Sequence, residues 1–178
     1  MGLAEDLASE VFGGDAGTVL VVGVGSEEHG DDGFGPLVVR LLKQIGGSGP
    51  VGNGLEVLDA GPAPELETWR IRELAPGVVL FVDAVDFGGA PGDVALLKAE
   101  DLRATGFDTH RAPLRLTMQY IESELGARCR LLAVQPKNVR LGLQMCAEVR
   151  GAAEKLAWLI VQTFSKHTGR RTPDGSEL

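Results

Sequence analysis

Cysteine is scarce in this chain, which has two among its 178 residues. Two thiols are too few for a disulfide framework or for a zinc site built from several thiolates. Cys129 and Cys146 each fall within an apolar stretch of the sequence. We therefore interpret both as small buried thiols rather than as redox groups.

Long hydrophobic runs and an excess of positive charge are also missing. No apolar stretch approaches the roughly 20 residues that cross a bilayer, and residues 1–6 lack the basic head and apolar core of a secretion signal. We therefore expect a cytoplasmic protein without membrane insertion. The chain has 17 basic and 25 acidic residues and a formal charge of −8. This balance argues against nucleic-acid binding and favours cations or basic peptide segments as ligands.

Signatures of nucleotide-binding enzymes and of common peptidases are absent. Gly23-Val24-Gly25 is not followed by glycine three positions on, and no Gly-Lys-Ser or Gly-Lys-Thr triplet occurs. Ser26 is not the centre of a Gly-x-Ser-x-Gly elbow, and His29 does not begin the paired-histidine helix of zinc peptidases. No nucleophile stands out from the sequence.

What the chain does contain is an alternation of apolar runs and amphipathic segments. Apolar runs predict strands at 18–24, 55–59, 78–82 and 129–134. Helical spacing predicts helices at 3–12, 31–46, 61–74, 114–125 and 147–164. The helix over 61–74 is expected to bury Leu66, Trp69, Ile71 and Leu74. Residues 93–97 follow the third strand after a tight turn, and we predict that they pair with it as an antiparallel edge strand.

This order predicts a single three-layer α/β/α domain over residues 1–164. Its sheet should be twisted and mainly parallel, with about five strands and one antiparallel edge strand. Residues 165–178 are expected to form a disordered polar tail. In such folds ligands bind at the carboxyl ends of the strands.

Three polar residues are predicted to converge on that edge of the sheet. Asp32 lies in the acidic loop, residues 25–35, that follows the first strand; Asp83 ends the third strand, and His110 precedes the helix over 114–125. Two carboxylates and one imidazole suit a divalent transition metal and leave positions open for water or substrate. Such a set would hold Ni²⁺ or Zn²⁺ better than Mn²⁺.

Each of these residues also has a plainer explanation. Asp31 or Asp32 can cap the following helix, Asp83 can form a turn at the end of its strand, and His110 can be a surface imidazole bonded to backbone. Two more acids lie at the same edge, either as partners that orient His110 or as solvated loop residues. These are Asp59 and Asp86.

A further set of motifs occurs in order along the chain. It consists of GDDGFGPL at 30–37, IRELAP at 71–76, VDAVD at 82–86, PG at 91–92, THRAPL at 109–114 and QP at 135–136. Taken together, these motifs resemble the maturation endopeptidases of nickel-iron hydrogenases over residues 19–160. The resemblance is closest to the branch that serves energy-conserving or hydrogen-evolving enzymes.

The resemblance implies an endopeptidase, aspartic-type by family convention, that removes the C-terminal extension of a hydrogenase large-subunit precursor after nickel insertion. The family's nickel-contacting residues fall on Asp32, Asp83 and His110. The nickel would be carried by the substrate, and other divalent metals can occupy the site. Asp32 and Asp83 are also the catalytic candidates. Either the metal acts on the scissile carbonyl or on water while one of them moves a proton, or metal contact only docks the substrate.

The acidic loop departs from the family pattern at residues 26–29. The family has asparagine and mostly apolar residues there, whereas this chain has Ser26, Glu27, Glu28 and His29. Glu27 or His29 can therefore join or compete for the metal, or the segment can be a solvent-facing tip. Two other functional classes remain open: a noncatalytic metal-checking or docking module, and a nucleoside or amide hydrolase on a similar sheet.

Overall fold

The computed structural model describes residues 2–14, 16–46, 54–102 and 111–169. The strands within these ranges are β1 Val19–Val24, β2 Leu55–Gly61, β3 Val78–Ala84, β4 Val94–Leu97 and β5 Arg128–Val134. The helices are α1 Leu3–Asp6, α2 Phe34–Gly46, α3 Thr68–Leu74, α4 Arg111–Tyr120 and α5 Ala147–Thr168. π-helical turns extend α1 over Leu7–Val11 and α4 over Ile121–Leu125. The predicted alternation of strands and helices is confirmed.

The five strands form one mixed sheet in the order β2-β1-β3-β5-β4. The pairs among β2, β1, β3 and β5 are parallel, and β4 is antiparallel to β5. Gly23 lies opposite Asp59 of β2 and Val82 of β3. The carboxyl ends of these three strands therefore meet at one edge of the sheet, and the loops that follow them lie close together.

The partner predicted for the antiparallel edge strand was wrong. The strand pairs with β5, where Val94 lies opposite Val134, and not with β3. β4 cannot pair with β3 on this side, because β5 already pairs with β3 in parallel from Arg128 onward. The short connection between β3 and β4 did not indicate pairing, since β5, which comes later in the chain, lies between them in the sheet.

Helices cover both faces of the sheet, as the three-layer prediction requires. Successive residues of β1 alternate between two apolar clusters. Val19 and Val21 belong to the cluster that includes residues of α2 and α5, whereas Leu20 and Val22 belong to the cluster that includes residues of α4. Because both faces of β1 are buried, its sequence is a continuous apolar run.

The apolar face predicted for the helix over 61–74 was largely wrong. Ile71 is fully buried, but Leu66, Trp69 and Leu74 are 70%, 59% and 44% exposed. The regular helix begins only at Thr68, after a 3₁₀ turn over Pro64–Glu67. The turn changes the angular register of Leu66 relative to the helix, and α3 is so short that it presents one residue to the core.

The last helix is longer than the sequence indicated. α5 continues to Thr168, four residues beyond the helix end predicted at 164, and Ser165 is buried. Phe164 packs into the core, and its carbonyl oxygen accepts a hydrogen bond from the Thr168 hydroxyl. The rest of the predicted tail, 170–178, lies outside the described residues. In the described part of the chain no helix has the length and apolar character to cross a membrane.

The start of α2 packs directly on the sheet, and this contact can be tested at Gly35. A Cβ added there would collide with the carbonyl oxygens of Val24 and Val82. We expect Gly35→Ala to lower the free energy of unfolding by about 1–3 kcal/mol, because backbone atoms of two strands must move. Urea denaturation measures the change.

Gly151→Ala on α5 is the matched control. Apart from its chain neighbours and the backbone of its own helix, no atom lies within 4 Å of the added Cβ. We therefore expect either no change or a gain of about 0.5–1 kcal/mol from better helix propensity. Equal losses in the two variants would contradict the close contact between α2 and the strand ends.

Candidate functional site

The acidic loop leaves β1 through a tight reversal at Gly25. This glycine has a φ of 123°, and a Cβ on it would collide with the carbonyl oxygen of Asp32. A 3₁₀ turn over Gly30–Gly33 then leads directly into α2. Glycine is therefore required where the loop begins, because the loop folds back onto its own start.

Asp32 is half-buried at the end of this reversal. Its Oδ2 accepts a hydrogen bond from the backbone N–H of Ser26 at 2.8 Å. The bond joins the end of the loop to its beginning and holds the carboxylate beside the end of β1. A side chain that caps a helix accepts from an N–H further along the chain, so the helix-cap alternative does not describe this bond, because Ser26 precedes Asp32.

Asp83 is the second predicted ligand, and it is half-buried near the end of β3. Its Oδ1 accepts a hydrogen bond from the backbone N–H of Ala84 at 2.8 Å. Because β1 and β3 are adjacent and parallel, Asp32 and Asp83 both lie at the carboxyl edge of the sheet, as the topology predicted.

The third predicted ligand, His110, lies outside the described residues. Within the described ranges, no three His, Cys, Asp or Glu side chains are grouped closely enough to hold a metal ion. The Asp32, Asp83 and His110 site therefore stays a prediction, with two of its members placed at the same edge of the sheet.

Asp59 and Asp86 are exposed and accept hydrogen bonds from nearby backbone. Oδ1 of Asp59 accepts from the N–H of Gly61, and Oδ1 of Asp86 accepts from the N–H of Gly88. These bonds span two residues each and are typical of aspartates that stabilise turns. Any contact of either carboxylate with His110 would lie outside the described residues.

Two of the residues that depart from the family pattern at 26–29 are Glu27 and His29, and the structure shows the surroundings of both. Glu27 forms an ion pair with Arg40 of α2, and both side chains are about half exposed. His29 has a buried Nδ1 that has no hydrogen-bond partner among the described residues. Participation of Glu27 or His29 in metal binding stays a prediction.

Asp31 has a role that sequence reasoning missed. Its side chain is completely buried. Oδ2 accepts hydrogen bonds from the backbone N–H groups of Lys137 and Asn138 at 2.7 and 2.9 Å, and Oδ1 accepts one from Cys146 at 2.8 Å. Its own N–H donates to the Asn138 carbonyl oxygen at 2.9 Å. Asp31 therefore joins the acidic loop to the segment between β5 and α5.

These donors also decide the charge of Asp31. Burial raises the pKa of its carboxyl group, but the N–H groups of Cys146, Asn138 and Lys137, with the Cys146 thiol, lower it by more. The pKa of Asp31 is consequently below its ordinary value, and the side chain is ionised at neutral pH. A buried carboxylate is tolerated here because donors surround both oxygens.

Gln135 is a second buried residue that holds a loop of this edge. Its Oε1 accepts hydrogen bonds from the N–H groups of Phe87, Gly88 and Gly89 at 2.9, 3.0 and 3.0 Å. Its Nε2 donates to Oδ1 of Asp86 at 3.1 Å. The Gln-Pro motif thus fixes the loop that follows Asp83. The sequence signals for it were a polar residue at the end of an apolar strand and the Gln-Pro motif at 135–136.

The Asp31 hydrogen bonds predict a stability effect that depends on pH. Asp31→Asn places an amide NH₂ against backbone N–H donors, and we expect the free energy of unfolding at neutral pH to fall by about 2–4 kcal/mol. Because folding lowers the pKa of Asp31, its contribution is complete above the ordinary value of 3.8. It is lost as pH falls through the folded-state pKa. Urea denaturation across acidic pH should show wild type and variant converging.

Asp59→Asn is the control for this measurement, because Asp59 is exposed and accepts a hydrogen bond from the nearby backbone N–H of Gly61. We expect it to change stability by less than about 0.5 kcal/mol. A difference between wild type and Asp31→Asn that stays constant with pH would contradict an ionised, hydrogen-bonded Asp31.

Comparison with known proteins identifies the family. The HycI family model, described as hydrogenase maturation protease, matches residues 36–163, a range that begins after Asp32 and includes Asp83 and His110. Hydrogenase 3 maturation protease of Escherichia coli K12 is 33% identical over 138 residues, which are 77% of this chain and 85% of the relative. A putative hydrogenase maturation protease of Methanocaldococcus jannaschii is 26% identical over 151 residues, 83% and 89% of the two chains.

Solved structures agree with the sequence relatives. The [NiFe] hydrogenase maturation protease HycI of Thermococcus kodakarensis KOD1 superimposes with a TM-score of 0.76 at 29% identity, covering 92% of this chain and 98% of that one. The solution structure of the endopeptidase HycI from Escherichia coli gives a TM-score of 0.72 at 28% identity, covering 90% and 99%. This chain therefore belongs to the hydrogenase maturation protease family.

Proposed function

We propose that this protein is an endopeptidase that removes the C-terminal extension of a nickel-iron hydrogenase large-subunit precursor after nickel has been inserted. In this proposal Asp32, Asp83 and His110 recognise the nickel, which the precursor carries. The observation that supports it is the position of two half-buried carboxylates at the carboxyl edge of the sheet in a member of this family. The protein would meet its precursor in the cytoplasm.

The local hydrogen bonds suit metal recognition. Among the described residues, the backbone N–H of Ser26 helps to orient the Asp32 carboxylate, and that of Ala84 helps to orient the Asp83 carboxylate. Ligands that are held in place by such bonds need little rearrangement when a metal arrives. Carboxylates and an imidazole leave part of the coordination sphere for groups of the precursor.

The same carboxylates have two possible parts in hydrolysis. In the first, Asp32 or Asp83 accepts a proton from the attacking water, while nickel held by the precursor polarises the scissile carbonyl. In the second, contact with nickel docks the precursor, and the carboxylates do not move a proton. A change in kcat indicates the first role, and a change confined to KM indicates the second.

Asp32→Asn and Asp83→Asn test the proposal with nickel-loaded precursor. We expect either substitution to lower kcat/KM by about 100-fold or more, because each removes a negatively charged metal ligand and a potential proton acceptor. His110→Ala should have a similar effect. Mass spectrometry of the precursor measures the loss of its C-terminal extension, and calorimetric titration with Ni²⁺ measures binding by the same variants.

Asp101→Asn is the control, since Asp101 is an exposed acid whose carboxylate accepts a backbone N–H from Lys98. We expect it to process the precursor at the wild-type rate within about twofold. Failure of purified wild type to shorten a verified nickel-loaded precursor would overturn the proposed activity and favour a noncatalytic docking module. Equal processing of nickel-free precursor would overturn nickel recognition.

A further inference from the structure

Three apolar side chains project into solvent from the segment between β5 and α5. We call residues 137–145 the docking loop. Val139, Leu141 and Leu143 alternate along it and are 47%, 68% and 41% exposed. Single exposed apolar residues are common, but three on one short loop form a patch of the kind that marks an interaction site.

The docking loop is held in place by its backbone. The Asp31 carboxylate binds the N–H groups of Lys137 and Asn138 at one end and that of Cys146 just beyond the other. In the middle, the N–H of Gly142 donates to the carbonyl oxygen of Glu28 at 2.8 Å. Fixing the backbone while leaving apolar side chains in water presents a preorganised surface, which reduces the entropy lost on binding.

The position of the loop indicates what it binds. Its hydrogen bonds go to Glu28 and Asp31, which are on the acidic loop that also carries Asp32. The docking loop is therefore attached to the segment at which the proposed function places the nickel of the precursor.

The loop also carries a positive charge. Arg140 lies between Val139 and Leu141, is exposed, and forms no ion pair among the described residues. Its Nε lies 3.5 Å from Oδ1 of the neutral Asn138 side chain. Lys137 differs, because its Nζ lies 3.5 Å from Oε1 of Glu148. An occupant with an acidic group among apolar side chains would complement both features of the loop.

We infer that the docking loop binds an apolar segment of the large-subunit precursor that carries an acidic side chain opposite Arg140. Leu141 and its apolar neighbours supply the contact area, and Arg140 sets the register of the segment. Asp31 is a positioning residue that acts through the loop. The inference rests on the proposed function, because it takes the occupant to be the precursor.

Leu141→Ser and Arg140→Gln test the inference, with controls that match them in type and exposure. Leu66→Ser is the apolar control, since Leu66 is 70% exposed and Leu141 is 68% exposed. Arg150→Gln is the charge control, because Arg150 is an exposed arginine of α5 without an ion pair among the described residues. Urea denaturation checks that all four variants keep the wild-type stability.

Two measurements are made on each variant. One is the KM and kcat for processing of nickel-loaded precursor, and the other is the dissociation constant for nickel-free precursor, measured with fluorescently labelled precursor. We expect Leu141→Ser to raise KM and the dissociation constant about tenfold while kcat stays within about twofold. Arg140→Gln should raise both and weaken the salt dependence of binding. The controls should match wild type.

The outcomes separate this inference from the proposed function. Unchanged KM and dissociation constants for Leu141→Ser and Arg140→Gln, or equal effects in the controls, overturn the docking loop. If wild type binds the precursor but does not shorten it, the proposed activity fails and the dissociation constants still decide the inference. If wild type neither binds nor shortens it, both are overturned.

Discussion

The buried carboxylate of Asp31 is the constraint on which the candidate site depends. Removing a charge from water is costly, and only a full set of donors makes it tolerable in a protein interior. Here three backbone N–H groups of one segment supply them. A displaced segment would leave the charge without these donors, so the acidic loop and the segment before α5 have to adopt their positions together.

The two neighbouring aspartates of the acidic loop have different roles for a geometric reason. Successive residues of a 3₁₀ turn are about 120° apart around its axis, so adjacent side chains cannot face the same surroundings. Asp31 is fully buried against the segment before α5, whereas Asp32 is half-buried and bonded to Ser26. A sequence pattern of two acids cannot show which of them faces inward, because that depends on the packing of a distant segment.

The fold could be predicted where the signal was local and repeated. Buried strands such as β1 and β3 are continuous apolar runs, and the spacing of Leu114, Met118 and Ile121 matches residues that are nearly or fully buried. Predictions failed where a local pattern had competing explanations. The apolar residues around Trp69 have helical spacing, but a 3₁₀ turn interrupts it. The partner of β4 depends on β5, which enters the sheet later in the chain.

The candidate site was predictable to the extent that it follows from strand ends. Asp32 and Asp83 come after adjacent parallel strands, whereas Asp31 contacts donors 106 to 115 residues away, and no local pattern encodes such a contact. Gln135 likewise holds the loop after Asp83. Gln135 and the donors to Asp31 all belong to the connection from β5 to α5. That connection provides no predicted metal ligand, yet it fixes the loop that carries Asp32 and the loop that follows Asp83, so the geometry of the site depends on residues that need not touch the metal.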